Sequence, residues 1–184
     1  MRKWAIGLLA LFTLTGCLQK EEIERGMALR SDLLRSGGSF NAQIVADYGD
    51  KSYTFGMFCE FDDTGDMSFT VTAPDTIAGI QGTIADNAGN LTFDDTALHF
   101  ELMADGYLSP ISAPWVFLKT LRSGYLTSAG EEEEGLRLSL DDSYEEDALH
   151  LDIWLNEQNI PLRAEILFDG RRILSMEVVN FAIL

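Results

Sequence analysis

From Phe40 onward, apolar residues recur at every second position, and short runs rich in Asp, Asn and Gly interrupt the alternation at close intervals. Tyr53, Phe55, Met57, Cys59 and Phe61 alternate with Ser52, Thr54, Gly56 and Glu60. After Asp62-Asp63-Thr64-Gly65, the residues Met67, Phe69, Val71 and Ala73 alternate with Ser68, Thr70 and Thr72. A period of two is that of a strand with one buried face, and the interruptions are turn chemistry. Shorter strands are expected around Ile80–Ala85, Asn90–Phe93 and Ala97–Leu102. Leu136/Leu138/Leu140, Leu149/Leu151/Ile153/Leu155 and Leu162/Ala164/Ile166/Phe168 give three more, and Asp169-Gly170 is a two-residue hairpin signal. In the last strand Leu174, Met176 and Val178 give way to Val179, Phe181 and Ile183, a phase slip of the kind a β-bulge produces. Serial hairpins predict an antiparallel meander of about ten strands.

Two segments have a helical period. Glu21 to Arg35 places Ile23, Met27 and Leu34 on one stripe with Leu33 at its edge, and this stripe is expected to be the buried face. Glu21, Glu22 and Glu24 in the first turn and Arg35 in the last agree with the helix dipole, and Gly37-Gly38 ends the segment. Ser109-Pro110 to Arg122 carries Trp115, Val116, Phe117, Leu118 and Leu121 with almost no polar side. Ser112 suits its cap, Pro114 its first turn and Gly124 its stop. A helix apolar nearly all round must be buried on more than one side, so it is expected to plug or cover the sheet. Together these elements make a single α+β domain over residues 21–184.

The first 16 residues read as a leader. Arg2 and Lys3 precede an apolar run from Ala5 to Leu14, too short to span a bilayer. The run ends in Leu14-Thr15-Gly16-Cys17, which resembles the lipobox of bacterial lipoproteins. That resemblance implies cleavage after residue 16, a diacylglyceryl group on the Cys17 thiol, and a short tether over 17–20. Two acyl chains give stable anchoring where one is marginal. The mature chain would carry 11 basic and 30 acidic residues, a net charge of −19. Anionic head groups repel such a body, so it is expected to hang off the extracytoplasmic face of the membrane on its anchor.

The order of elements resembles the lipoprotein localisation-factor superfamily, LolA/LolB-like. The parts that carry the resemblance are Phe69 to Ile80, where a strand ends at Pro74 and runs on to Gly79-Ile80, and the tail from Ile160-Pro161-Leu162 through Asp169-Gly170 to Asn180-Phe181. The resemblance implies a strongly curved antiparallel sheet folded into an unclosed half-barrel, with helices in its concave face as a lid over a cavity for acyl chains. Neither the arginine that controls the chaperone's lid nor the receptor's exposed leucine loop can be placed on this sequence. Candidates for the ligand-binding inner face are Phe55, Met57, Phe69, Leu98, Phe100, Leu151 and Ile153, with Trp115 and Leu118 from the covering helix. Periodicity alone leaves two readings open: a hollow that takes an apolar ligand, or a solid core in an envelope module that binds a protein partner. A lined hollow favours the first and a filled interior the second.

The acidity argues against a nucleic-acid role, which needs Lys and Arg along the phosphates. Asp62-Asp63-Thr64-Gly65-Asp66 and the acids of 141–147 lack calcium-loop spacing and read as solvated turns, as does Glu131–Glu134. His99 and His150 have no Cys or His at ligand spacing, so no metal or other cofactor is expected. There is no G-x-S-x-G or S-x-x-K motif and no phosphate loop, so no catalytic residue is assigned and the chain is expected not to be an enzyme. Cys59, on an apolar alternating strand, reads as a buried, inert thiol.

Overall fold

The structure is a computed structural model. It describes residues 20–184 apart from 48, 50, 86–87, 94–95, 102 and 105–106, with backbone alone over the rest of 91–107. The leader, Cys17 and the start of the tether therefore lie outside the described residues.

The chain opens with helix α1, described over residues 20–33. Six strands follow: β1 (Gly38–Asp47), β2 (Ser52–Phe61), β3 (Met67–Ala73), β4 (Gln81–Ala85), β5 (Ala88–Phe93) and β6 (Thr96–Glu101). A small ribbon, β7 (Met103–Ala104) with β8 (Tyr107–Leu108), leads to a single 3-10 turn at Pro110–Ser112 and helix α2 (Ala113–Ser123). Five strands complete the chain: β9 (Tyr125–Glu132), β10 (Gly135–Asp141), β11 (His150–Leu155), β12 (Pro161–Phe168) and β13 (Arg171–Ile183).

The main sheet is antiparallel and has eleven strands in the order β6-β5-β4-β3-β2-β1-β13-β12-β11-β10-β9. Every neighbour is a sequential hairpin except one: β1 pairs with β13. The meander is thus two meanders joined through the first and last strands, and its free edges are the mid-chain strands β6 and β9. The sheet is not closed into a barrel, and two helices lie with it, which makes an α+β unclosed half-barrel. The strand β9 was not evident in the sequence, because it is an edge strand with no regular in–out alternation.

Asp169 and Gly170 both have positive φ (49° and 69°), the geometry that a two-residue hairpin turn requires. The bulge in β13 is present between its pairings of Ser39 with Ala182 and of Asn41 with Val179. Asn180 supplies the extra residue at φ 55°, so the slip falls one residue later than the apolar pattern implies. Phe181 then rejoins the inner side, with its ring 5.8 Å from Phe40 and 6.2 Å from Phe61.

The buried face of α1 differs from expectation. Ile23, Met27 and Leu34 are exposed, while Gly26, Leu29 and Leu33 are buried. The reason is close approach: a Cβ at Gly26 would lie 3.0 Å from Leu138 Cδ1, so the glycine lets the helix settle onto β10. A hydrophobic count does not score glycine and therefore selects the wrong stripe. α1 is fastened by Arg25, whose guanidinium donates to Asn159 Oδ1 at 2.8 Å and to the Asn156 carbonyl at 3.1 Å and pairs with Glu131.

The acidic run Glu131–Glu134 is exposed, as the sequence implies, but it is ordered by pairing. Its first two residues end β9 and the other two form the turn into β10, and the run meets Arg25, Arg137 and Arg163. Trp154, on the polar phase of β11, is nonetheless buried. Its ring lies 3.8 Å beneath the Arg163 guanidinium, and its Nε1 donates to Glu132 at 2.9 Å.

At the centre of the core, Phe117 of α2 meets the ring of Phe40 edge-on at 5.8 Å, with no exposure of either residue. Phe117→Ala is expected to destabilise the fold by about 3–5 kcal/mol in urea unfolding. Cys59 is fully buried, and burial pushes its thiol well above the ordinary range. It should resist a thiol reagent until denaturant is added, and reaction at native rates would mean that β2 opens locally.

Candidate functional site

The concave face is built from rungs that run across both halves of the sheet. One rung aligns Phe55, Ile44, Met176, Ala164, Ile153 and Leu138. Its neighbour aligns Ala46, Leu174, Ile166, Leu151 and Leu140. Towards the other edge, Met57 stands beside Val71, and Cys59 beside Phe69. The β1–β13 pairing is therefore what brings Phe55 and Ile153, almost a hundred residues apart, onto one surface. Leu98 and Phe100 hold register positions opposite Leu91 and Gly89 in the same sheet, but their side chains lie outside the described residues.

Helix α2 belongs to the same apolar cluster. Ala113, Pro114, Trp115, Val116, Phe117, Leu118, Thr120 and Leu121 are all buried. Pro114 occupies its first turn and Gly124 its C-cap, as the sequence implies. Ser112 stands at the N-cap position without capping: its hydroxyl donates to the Ser109 carbonyl at 2.6 Å. Two arginines fasten the C-terminal end of α2. Arg122 donates to the Leu33 carbonyl and, at 2.6 Å, to that of Asp63. Arg30 of α1 donates to the carbonyls of Leu121 (2.7 Å) and Gly124 (2.8 Å), and burial lowers the pKa of its guanidinium.

The described candidates are thus gathered into one cluster, and there they are packed. Met57, Leu118, Leu151 and Ile153 are at most 1% exposed, Phe69 and Trp115 are buried, and Phe55 is half-buried at the margin. Clefts of the described surface lie at the periphery, among them one of about 540 Å³ along Glu60, Phe61, Asp66, Met67, Thr83 and Ile84. One of about 370 Å³ lies between Leu34 at the end of α1, Trp115, Lys119 and Arg122 of α2, and the β2–β3 turn. Another of the same size lies on the outer face, among Phe58, Ser68, Thr70, Gln81 and Asn90.

The acid-rich β2–β3 turn is organised by one side chain. The Asp62 carboxylate accepts from the Thr64 hydroxyl (2.6 Å) and from the backbone N–H groups of Thr64, Gly65 and Asp66. The hydroxyl bond first, then the N–H groups, hold its pKa below the ordinary value. Its oxygens serve the turn, and among the described residues no group of three or more His, Cys, Asp or Glu could hold a metal ion. A depressed carboxyl pKa gives stability that is present above the unfolded pKa, near 3.8, and is lost as pH falls through the lower folded value. The stability gap between the parent and Asp62→Ala should therefore be steady near neutrality and close below about pH 4, read from denaturant midpoints at each pH.

One cluster was not evident in the sequence. Ser139, Asp141, His150 and Asp152 converge on the outer face through the β10–β11 pairing. His150 Nδ1 lies 2.7 Å from Asp141 and its Nε2 3.6 Å from Asp152. Ser139 Oγ, however, donates to Asp152 at 2.6 Å and not to the imidazole, so the histidine is not placed to take its proton. The group is a structural hydrogen-bond network. Ser139→Ala should cost about 1–3 kcal/mol by leaving Asp152 short of a donor, and a fluorophosphonate probe should not label Ser139 in the parent. Among the described residues no helix is long and apolar enough to cross a membrane.

No protein-family model matches the chain, and neither does any curated protein. Solved structures resemble it. A LolA superfamily protein from Nitrosomonas europaea is 10% identical, with 91% of this chain and 94% of that one covered at a TM-score of 0.45. A putative outer membrane lipoprotein-sorting protein domain from Vibrio parahaemolyticus is 9% identical, with 90% and 93% covered at 0.47. The Mycobacterium tuberculosis lipoprotein LppX is 9% identical, with 88% and 92% covered at 0.42. The likeness is one of chain course.

Proposed function

We propose that this chain is a non-catalytic lipoprotein, held by a diacylglyceryl group on Cys17 at the extracytoplasmic face of a bacterial membrane, whose half-barrel takes a lipid or acyl chain between the concave sheet and α2. The observation that carries the reading is the character of the cover. α2 is apolar nearly all round, and Arg30 and Arg122 fasten its C-terminal end. An acyl chain that slides beneath it exchanges one apolar contact for another, and each CH₂ withdrawn from water contributes about 0.8 kcal/mol. The ligand would meet Met57, Phe69, Trp115, Leu118, Leu151 and Ile153, and would enter past half-buried Phe55.

A second reading is favoured by the packed state of those same side chains. In it the interior is solid core, and the protein is an envelope module that binds a protein partner through its outer surface.

Native mass spectrometry of residues 18–184, followed by organic extraction, separates the two. The first reading expects a co-purifying lipid in stoichiometric amount, lost in Phe55→Asp with the thermal transition retained. An unliganded mass that persists after incubation with lipid vesicles favours the second. Independently, Cys17→Ser should abolish incorporation of an alkyne-labelled fatty acid and release the protein from the membrane fraction. Continued acylation of that variant would overturn the anchor site.

A further inference from the structure

The stripe of α1 that the sequence marks for burial is left facing outward. Ile23, Met27 and Leu34 are 37%, 46% and 51% exposed. At about 100° per residue they fall within about 40° of one another, roughly 105° round the helix from the buried Gly26, Leu29 and Leu33. An aligned, exposed apolar face on a helix is an interaction surface rather than scattered surface apolarity. Its distal end, Leu34, borders the cleft of Trp115, Lys119 and Arg122.

Two facts identify what covers it. The first is reach. Only Leu18 and Gln19 separate Cys17 from Lys20, and three peptide steps span at most about 11 Å. A chain acylated at Cys17 therefore holds the start of α1 against the bilayer interface. The second is charge. Residues 20–35 together with α2 carry six of the mature chain's 11 basic residues and four of its 30 acids. This layer is net +2, whereas the remainder of the mature chain is net −21. Glu24 is drawn to Lys20 at 3.6 Å, and α2 contains no acid. What anionic head groups repel is the strands with their acidic loops, not the helical layer.

We propose that in the anchored protein the Ile23–Met27–Leu34 face of α1 rests on the bilayer surface. α1 is fastened to the body through Arg25, Arg30 and the Gly26–Leu138 contact. This docking therefore fixes the orientation of the whole domain, with the sheet standing to the side of the contact and the Trp115–Lys119 cleft, which Leu34 borders, near the membrane. The inference rests on the anchoring at Cys17 proposed above.

The test uses the full chain, expressed so that it is acylated, with Met27→Cys or Asp32→Cys carrying an environment-sensitive fluorophore. Cys17 is then blocked and Cys59 buried, so the label enters only the new site. Asp32 lies about 140° round the helix from Met27 and serves as the solvent reference. Each protein is placed in phosphatidylcholine vesicles containing spin-labelled lipid, floated on a density gradient, and titrated with iodide. The expected result is flotation, with blue-shifted, lipid-quenched emission at position 27 and iodide-quenched emission at position 32. Ile23→Cys should repeat the behaviour of position 27. Flotation with equal iodide quenching at 27 and 32 would overturn the docking and leave the anchor standing. A label at 27 shielded from both quenchers would also overturn it, in favour of a protein partner or second copy. Failure to float would remove the anchor and this inference with it.

Discussion

The pairing of the first strand with the last governs the rest of this molecule. Because β1 lies beside β13, the chain's two meanders merge into one sheet, and the unpaired edges fall in mid-chain at β6 and β9. The chain must then travel from one edge to the other. Laid flat, eleven strands would set those edges about 48 Å apart. The connection over residues 102–124 includes an eleven-residue helix that rises only about 16 Å. Curving the sheet shortens the path, and α2 lies on the concave side. This explains why α2 is apolar nearly all round: it is buried beneath the sheet, not laid on a surface.

The same constraint shapes the candidate site. A concave apolar face cannot stay in water without cost, and each large side chain on it is worth about 1.5–3 kcal/mol when covered. α2 supplies that cover, and Phe40 with Phe117 marks where sheet and helix meet. The polar groups that secure the helix are backbone carbonyls bonded by Arg30 and Arg122, concentrated at its C-terminal end. Apolar contact along the length and arginine fastenings at the C-terminal end suit the cover of a carrier. They are equally the attributes of a stable core, and so ligand occupancy is what distinguishes a carrier from an interaction module.

Charge is distributed with the same economy. The net negative charge lies outside the helical layer, most of it in the loops between strands, and the outer face of the sheet holds arginines in pairs, as Arg172 with Glu165 and Arg163 with Glu134 over Trp154. The helical layer is close to neutral. A molecule described by its total charge alone is expected to stand clear of a membrane. Resolved by layer, it has one side with no reason to do so, and that side begins three residues from Cys17.

Much of the architecture was legible in the chain. Strict alternation along Met67–Ala73, Leu136–Leu140 and Leu149–Leu155 identifies strands with one buried face, because the pleat has a period of two whatever the tertiary context. Asp169-Gly170 marks its turn for an equally local reason, and the slip in β13 marks its bulge. The apolar content of Trp115–Leu121 requires burial on several sides. What the sequence by itself determined, then, was the set of elements and the face each turns to the interior. Only the tertiary structure decided which strands meet across long separation, since β1–β13 pairing is non-local and leaves no periodic trace. It alone decided that α1 approaches β10 through Gly26 and so exposes the stripe the pattern marks for burial. And it alone decided that the described part of the inner face is packed, because periodicity reports which way a side chain points and packing determines what it meets there.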